Sequence, residues 1–259
     1  MKKNSGNAAT KAKNKYNSNN YDRLNVVVPK GCKTEILAVA EAGGDSLNAY
    51  IIGAIDERMY RDKRAVSKKY TIIGGVNGTG KSSFTGALKT QTIDLGEIID
   101  VDKITSVAGV SPLEGGKIAI NRITDCLKNE ISFTQETTLS GHKTQLTAKK
   151  AKESGYYITM FYIGLDTVDE SLRRIANRVK RGGHAIGEDD VRRRFKERWN
   201  AVLKILPYCD KAFFFDNDNG FVEVTEYKNG KFSKKGELQP KWILELIDCH
   251  NRLSIEAKL

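Results

Sequence analysis

The chain has 259 residues, of which 39% are hydrophobic, and a formal net charge of +11. This length leaves room for one α/β domain and a small additional unit, and the hydrophobic fraction suits a globular core. No apolar run approaches the roughly 18 residues of a membrane span, and the first residues lack the apolar stretch of a signal peptide, so a cytoplasmic location without membrane contact is predicted.

The spacing of cysteine and histidine gives no sign of a disulfide framework or of a zinc site. The residues concerned are Cys32, Cys126, Cys209, Cys249, His142, His184 and His250. Because no C-x-x-C pair occurs, reduced thiols are expected rather than disulfides. Because the histidines lack the spacing of zinc ligands, no structural metal is assigned.

The positive charge is concentrated near the N-terminus. Residues 1–69 contain 14 Lys/Arg and 7 Asp/Glu, a net +7, whereas residues 70–259 contain 29 and 25, a net +4. A basic segment of this kind indicates a polyanionic partner, and nucleic acid is the first candidate. Residues 1–20 are rich in Lys, Asn, Ser and Ala and are predicted to be a disordered basic tail, either a phosphate-binding arm or a solubilising extension.

Residues 21–62 are predicted to form a small strand–helix–helix unit. Leu24, Val26 and Val28 recur at every second position, which is typical of a strand with one apolar face. Pro29 suits the first turn of a helix, and Ser46 is a natural N-cap for a second helix. About forty residues bury too little surface to fold alone, so this unit is expected to need a partner.

This pattern resembles the ribbon-helix-helix (Arc-type) DNA-binding family. The resemblance implies a homodimer whose paired strands enter the major groove of operator DNA. It assigns base contacts to Arg23, Asn25 and Val27 and a phosphate contact to Ser46. Val27 departs from the family, which commonly has a polar residue there, and the alternative is a dimerisation module that does not read DNA. A basic linker is expected at residues 63–69.

Residues 75–82, GVNGTGKS, match the phosphate-binding pattern G-x-x-x-x-G-K-[ST] in full. A β-branched apolar run precedes the match, and a stretch that suits a helix follows it. In such a loop backbone N–H groups surround the phosphates, Lys81 reaches the β/γ-phosphates and the Ser82 hydroxyl binds Mg²⁺. ATP (or GTP) with Mg²⁺ is therefore predicted as the ligand. The predicted nucleotide-binding residues are Gly75, Asn77, Gly78, Thr79, Gly80, Lys81, Ser82, Ser83 and Arg194.

From residue 70 onward, apolar strands alternate with helical stretches. The strands are predicted at residues 70–73, 98–99, 133–136, 157–163 and 212–215. This alternation predicts an α/β fold, a P-loop NTPase parallel sheet with helices on both faces, over residues 70–259. Residues 221–227 followed by Asn229 and Gly230 predict a hairpin, and residues 242–247 predict a closing helix.

Carboxylates follow two of these strands, at the sheet edge where α/β folds bind ligands. Asp100 or Asp102 could accept the proton of a hydroxyl that attacks the γ-phosphate, although Asp102 also suits a helix N-cap. Glu136 could bind magnesium or substrate, together with the hydroxyls of Thr137 and Thr138. The alternative for that segment is an ordinary strand-to-helix loop with Ser or Thr capping.

Residues 171–195 place many cations around Gly182 and Gly183. Arg174, Arg178 and Arg181 share the exposed side of a predicted helix. Next to a double-glycine hinge, such a helix is interpreted as a mobile lid that carries arginines to phosphates, rather than as a merely solvated surface.

The motifs IIGGVNGTGKS, IDVD, ETTLSG, RVKRGGHAI, RRRF and FFFDND together resemble the zeta-toxin family of P-loop kinases, and most closely its short predicted-ATPase branch. The resemblance runs from about residue 70 to residue 219. It implies ATP-dependent phosphorylation of a sugar hydroxyl, with UDP-N-acetylglucosamine or a related nucleotide sugar as substrate, in a toxin-antitoxin system that can include a separate antitoxin protein. The substrate lobe of longer zeta toxins is not evident here.

The resemblance also assigns roles to residues. Lys81 binds phosphate, Asp102 is the general base, and Glu136 belongs to the substrate and metal site. Further residues, assigned as phosphate clamps, are Arg174, Arg178 and Arg194. Together the two halves predict a toxin-type kinase fused to a DNA-binding regulatory module. The alternative is an ATP-gated DNA-binding repressor without kinase activity.

Overall fold

The computed structural model describes residues 18–22, 24–66, 68–91, 93–183 and 185–256. Its contacts divide the chain into two compact units, Met1–Tyr60 and Arg61–Leu259. None of the helices in these ranges is sufficiently long and apolar to cross a membrane.

Two helices that begin in the first unit are α1 (Cys32–Ala42) and α2 (Leu47–Val66). The predicted cap of the second helix is confirmed, because the Ser46 Oγ accepts a hydrogen bond from the Ala49 N–H at 3.2 Å. The first helix begins later than predicted: Pro29 precedes it in a turn, where its carbonyl accepts from the Cys32 N–H at 3.2 Å. α2 extends into the segment 63–69 that was predicted as a linker, since no glycine or proline interrupts residues 54–66.

The strand predicted at residues 24–28 is not formed within the described chain, where these residues have no regular secondary structure. A strand needs a hydrogen-bonded neighbour, and the first unit as described contains no second strand. Leu24 is 76% exposed and Val26 is 59% exposed. Ala40 is the single buried residue among the described side chains of this unit, so one copy has almost no core of its own.

The second unit is built on a seven-stranded sheet. The strands are β1 (Lys69–Gly74), β2 (Glu97–Asp100), β3 (Phe133–Thr137), β4 (Tyr157–Gly164), β5 (Lys211–Asp216), β6 (Val222–Lys228) and β7 (Lys231–Lys234). Their order is β2-β3-β1-β4-β5-β6-β7. The first five are parallel, and β6 and β7 are antiparallel. The predicted parallel α/β sheet is therefore confirmed, with an antiparallel hairpin added at one edge.

Helices follow β1, β2, β3 and β4, whereas β5 leads directly into β6, and a last helix comes after β7. They are α3 (Lys81–Thr90), α4 (Val101–Ala108), α5 (Pro112–Lys128), α6 (Lys143–Glu153), α7 (Val168–Lys180), α8 (Glu188–Ile205) and α9 (Lys241–Glu256). Alternating residues of one strand face opposite sides of the sheet. Ile72 packs into a large core cluster with Trp242, whereas Ile73 packs into a smaller cluster with Phe84 of α3. Both faces of the sheet are therefore covered.

The predicted hairpin and closing helix are both present. Asn229 and Gly230 have φ of 51° and 78°, the left-handed values that a two-residue hairpin turn requires. In α9 the Trp242 indole is fully buried, and its Nε1 donates to the Asp216 Oδ1 at 2.8 Å. A Cβ on Gly164 would lie 2.3 Å from that indole, so only glycine lets the helix approach β4.

Candidate active site

The phosphate-binding loop connects β1 to α3 at the carboxyl edge of the sheet. Gly78 and Gly80 have φ of 81° and 91°, which favour glycine. Both are also closely packed: a Cβ on Gly78 would lie 2.8 Å from the Ser171 carbonyl oxygen, and one on Gly80 would lie 2.6 Å from the Asn217 Nδ2. The loop conformation thus depends on these two glycines, as its sequence pattern predicts.

Side chains from three other elements hold the loop. The Asn217 Nδ2 donates to the Thr79 carbonyl at 2.8 Å, directly after β5. The Arg194 guanidinium on α8 donates to the Asn77 Oδ1 at 3.0 Å. The Ser171 hydroxyl on α7 donates to the Asn77 carbonyl. Because Asn77 and Thr79 are buried, these contacts fix the loop before any ligand binds.

Lys81 begins α3, and its Nζ donates to the carbonyl of Val76 within the loop at 3.1 Å. Burial lowers the pKa of Lys81, while the nearby charges of Glu136, Asp102 and Asp100 act in the opposite direction. The ammonium group therefore lies inside the loop, among carboxylates, where it can meet a phosphate.

Glu136, near the end of β3, is 8% exposed and accepts two hydrogen bonds from α3. The Ser82 hydroxyl donates to its Oε2 at 2.9 Å, and the Thr85 hydroxyl donates to its Oε1 at 2.6 Å. Burial raises the pKa of Glu136, although both hydrogen bonds oppose that rise. The sequence pattern did not identify Thr85; its position three residues after Ser82, on the same face of α3, was the available signal.

The oxygen atoms of Ser82 and Glu136 are ligands of the kind that Mg²⁺ takes. Magnesium sites usually combine one or two protein carboxylates with water and substrate phosphates, rather than a full protein cage. Among the described residues, no group of three His, Cys, Asp or Glu side chains that could hold a metal ion is found. The pair therefore fits a nucleotide-bound magnesium ion.

Asp100 and Asp102 have different roles. The Asp100 Oδ1 accepts from the backbone N–H of Asp102 at 3.0 Å and of Lys103 at 3.4 Å, so Asp100 is the N-cap of α4. The alternative that Asp102 is the N-cap is therefore wrong. Asp102 lies exposed in the first turn of α4, and no hydrogen bond to its carboxylate is found among the described residues. Its carboxylate is accessible at the loop edge of the sheet.

The three predicted phosphate clamps differ in their surroundings. Arg174 on α7 pairs with Glu170 and donates to the carbonyls of Asn217 at 2.7 Å and Asp218 at 3.1 Å, so it ties α7 to the segment after β5. Arg178 is exposed, and its charge contributes to lowering the pKa of Lys81. Arg174 and Arg178 also line an open pocket of about 390 Å³ with Arg173 and Arg181.

The other predicted nucleotide- and substrate-binding residues are Ser83, Thr137, Thr138 and Gly75. Ser83 is exposed on α3. The Thr137 Oγ1 accepts from the Leu139 N–H at 3.0 Å, and the Thr138 hydroxyl lies 2.9 Å from that of Ser140. Gly75 opens the loop with a φ of 152°.

The predicted DNA-contacting residues belong to the first unit. Asn25 and Val27 are exposed, Ser46 caps α2, and Arg23 lies outside the described residues.

No protein-family model matches the chain. The structure resembles one from the PezAT chromosomal toxin-antitoxin system of Streptococcus pneumoniae, with a TM-score of 0.50, 15% sequence identity, and coverage of 78% of this chain and 95% of that chain. The native AvrRxo1-ORF1:AvrRxo1-ORF2 complex gives a TM-score of 0.47 at 18% identity, covering 67% of this chain and 62% of that one. The former similarity agrees with the predicted α/β fold, a mostly parallel sheet with helices on both faces.

A relative is also found by sequence. An uncharacterized protein of Haemophilus influenzae is 38% identical over 126 residues, which cover 47% of this chain and 88% of that protein. This chain therefore belongs to the same family as that uncharacterized protein of Haemophilus influenzae.

Proposed function

We propose that the chain is an ATP-dependent phosphotransferase that phosphorylates an alcohol group. The observation that carries this proposal is the contact between Ser82 of the phosphate-binding loop and Glu136 of the neighbouring strand, with the Lys81 ammonium beside them. A loop that only bound a structural phosphate would not need a buried carboxylate at this point, since burying that charge is costly.

The proposed reaction uses Asp102 as general base. The acceptor oxygen attacks the γ-phosphorus, the bond to the β–γ bridging oxygen breaks, ADP leaves, and the acceptor proton passes to the Asp102 carboxylate. Lys81 binds the β- and γ-phosphates, and Arg178 and Arg194 meet the charge that develops on the transferred group. When bound through Ser82 and Glu136, Mg²⁺ would neutralise charge on the phosphates.

The acceptor follows from the resemblance to zeta toxins. A sugar hydroxyl of UDP-N-acetylglucosamine or a related nucleotide sugar is the first candidate, and a separate antitoxin protein is a candidate partner. Mass spectrometry of products, after incubation with ATP and a nucleotide-sugar panel, tests the acceptor. A new mass that exceeds a sugar nucleotide by one phosphate is expected, and only ADP and inorganic phosphate would contradict transfer to an alcohol.

We further propose that the first unit pairs with a second copy of the chain and binds operator DNA. Its support is the exposure of Leu24, Val26 and Val28 ahead of two helices that bury a single described residue. If this segment became a strand in each of two copies, pairing of the two strands would cover their apolar sides and form a ribbon.

Titration of the protein onto DNA from upstream of its gene, at several salt concentrations, tests this second proposal. Asn25→Ala should weaken the preference for that DNA over random DNA, whereas equal binding to both would contradict operator recognition. ATP-dependent binding without any phosphorylated product would favour the ATP-gated repressor over the kinase.

A further inference from the structure

Trp242, at the start of α9, is bonded to the carboxyl ends of β4 and β5, on the same edge of the sheet as the phosphate-binding loop. Its backbone N–H donates to the Asp166 Oδ1 at 3.0 Å, just after β4, and its indole Nε1 donates to the Asp216 Oδ1 at 2.8 Å, at the last residue of β5. The indole is fully buried, and a Cβ on Gly164 would lie 2.3 Å from it. The ring is therefore held in a fixed position against both strand ends.

Asp216 is a buried carboxylate, and both of its oxygens accept hydrogen bonds. It is 5% exposed, and its Oδ2 accepts from the backbone N–H of Asp218 at 3.1 Å. Burying a carboxylate is costly unless hydrogen bonds satisfy it. Here the two donors are neutral N–H groups, one from the Trp242 indole and one from the segment that follows β5. Loss of the indole N–H would leave one carboxylate oxygen without its donor and loosen this segment.

The segment that Asp216 holds carries Asn217, the residue that contacts the phosphate-binding loop. The Asn217 N–H donates to the Gly164 carbonyl at 3.3 Å, and its Nδ2 donates to the Thr79 carbonyl at 2.8 Å. A Cβ on Gly80 would lie 2.6 Å from that Nδ2, so the contact is a close one. Rotation of the Asn217 backbone would therefore move its amide away from Thr79.

Arg174 on α7 is the other anchor of this segment. Its guanidinium donates to the carbonyls of Asn217 at 2.7 Å and Asp218 at 3.1 Å. Arg174 is also a predicted phosphate clamp, so these two bonds compete with its contact to a phosphate. The bond from Trp242 to Asp216 has no such competitor, because the indole is fully buried. It is thus the anchor that remains when Arg174 turns toward a ligand.

We infer that Trp242 is a positioning residue for the phosphate-binding loop. Its indole N–H holds Asp216, Asp216 directs the backbone that follows β5, and Asn217 keeps the Thr79 carbonyl in place. The loop then retains the conformation in which its N–H groups can meet phosphate. The inference rests on the proposed function, since it requires that the loop binds a nucleotide. It assigns to the closing helix α9 a part in setting the affinity for that nucleotide.

Calorimetric titration of the full chain with Mg²⁺ and the β,γ-imido analogue of ATP tests the inference. Trp242→Phe keeps an aromatic ring but removes the indole N–H, and it should weaken binding of the analogue about tenfold. Trp199→Phe is the matched control. The rings of Trp199 and Trp242 are stacked with their centres 6.1 Å apart, but the Trp199 Nε1 donates to the Glu245 Oε2 at 3.4 Å instead. The affinity of this control should equal that of the unaltered chain.

Asn217→Ala separates positioning from a general loss of stability. Alone, it should weaken binding of the analogue about tenfold, because the bond to the Thr79 carbonyl is lost. Adding Trp242→Phe to it should change the affinity by less than about twofold, since both substitutions break the same series of contacts. A purely structural effect of Trp242→Phe would instead multiply with the effect of Asn217→Ala.

The NMR signal of the indole gives a second test, which needs no change in the network itself. The chain contains two tryptophans, so the isotope-labelled protein has two indole N–H resonances, and Trp199→Phe assigns them. The Trp242 resonance should shift when Mg²⁺ and the analogue bind. That shift should be lost in Asn217→Ala at saturating analogue, because the contact between the loop and the indole is interrupted.

Three results would each overturn the inference: equal affinities of Trp242→Phe and Trp199→Phe, independent effects of Trp242→Phe and Asn217→Ala, or a Trp242 resonance that does not respond to the analogue. The expected binding changes without any phosphorylated product would support the positioning role and contradict only the proposed phosphotransferase. A chain that does not bind the analogue at all would contradict both. The two proposals therefore fail in distinguishable ways.

Discussion

Glu136 is a buried carboxylate near the phosphate-binding loop, and its burial lowers the stability of the folded protein. Its carboxylate is buried, which raises its pKa, and the Ser82 and Thr85 hydroxyls partly compensate by donating hydrogen bonds. An apolar side chain would suit this position better in terms of stability alone. The charge is explained if a cation shares the site when nucleotide is bound.

Replacement of Glu136 by glutamine should therefore stabilise the protein but reduce its activity. Burial raises the pKa of Glu136 in the folded protein, so folding favours the protonated carboxyl. The free energy of unfolding therefore falls as the pH rises from the ordinary pKa of a glutamate through the raised pKa of Glu136. The Tm of Glu136→Gln without metal should exceed that of the unaltered protein by about 2 to 4 °C at about pH 8 and by less at about pH 4. Phosphoryl transfer should fall about 100-fold. A lower Tm at the higher pH would contradict a burial cost at this carboxylate.

Thr85 should position Glu136 for the metal. Its hydroxyl is 2.6 Å from the Glu136 Oε1, and Thr85→Val removes it with little change in shape. The Mg²⁺ concentration needed for half-maximal nucleotide binding should rise about tenfold, and Thr85→Ser should restore it. Thr90→Val is the control, because within the described part of the chain the Thr90 hydroxyl donates to the Ala87 carbonyl on the same helix. An unchanged Mg²⁺ requirement in Thr85→Val would show that Ser82 alone suffices.

The sequence pattern predicts the residues of the phosphate-binding motif but not the side chains that support them. Lys81 and Ser82 follow directly from the motif, and Glu136 from its place at a strand end. Thr85 and Ser171 act through contacts with residues 51 and 94 positions away, which no local pattern reports.

Helix α4 begins at the N-cap Asp100, and its first turn contains Asp102, the proposed general base. Asp100 accepts hydrogen bonds from two N–H groups of the first turn, and Asp102 lies in that turn. Loss of the cap should therefore affect stability and catalysis together.

Asp100→Ala should lower the free energy of unfolding by about 1 kcal/mol, because an N-cap acceptor is lost, and Asp100→Asn should largely preserve it, because Asn caps equally well. Urea unfolding of both variants measures the difference. If Asp100→Asn were as unstable as Asp100→Ala, the charge of Asp100 rather than its cap would stabilise α4.

Element boundaries were predicted well where the pattern was local. β1, β3 and β4 extend only one residue or so beyond their predicted ranges, since their apolar runs are buried on both faces. The strand predicted at residues 24–28 is not formed. Alternating apolar residues indicate that a strand would have one apolar face, but they do not show that a neighbouring strand is present to pair with it. The end of α2 was missed because a basic run resembles a linker in composition while having good helix propensity.

The two units of the chain differ in how much hydrophobic core each one contains. The second contains the complete sheet and both hydrophobic clusters, whereas the described part of the first buries Ala40 alone. Apolar burial is the main favourable contribution to folding, so the second unit should fold without the first.

A fragment of residues 61–259 should therefore unfold cooperatively and bind an ATP analogue as tightly as the full chain. Thermal unfolding and calorimetric titration of the fragment and the full chain make the comparison. A fragment that does not unfold cooperatively would show that the sheet needs residues 1–60.

We propose that the loop and the strand-end acids together transfer phosphate to an alcohol. The most direct test of this proposal is to incubate γ-labelled ATP with N-acetylglucosamine 1-phosphate and UDP-N-acetylglucosamine, using the unaltered chain, Lys81→Ala and Asp102→Asn, and to measure label in the sugar. Label should enter a sugar with the unaltered chain and fall about 100-fold or more with either variant, while Asp102→Asn still binds nucleotide. Full transfer by Asp102→Asn would contradict the assigned base, and no labelled sugar with the unaltered chain would contradict the phosphotransferase itself.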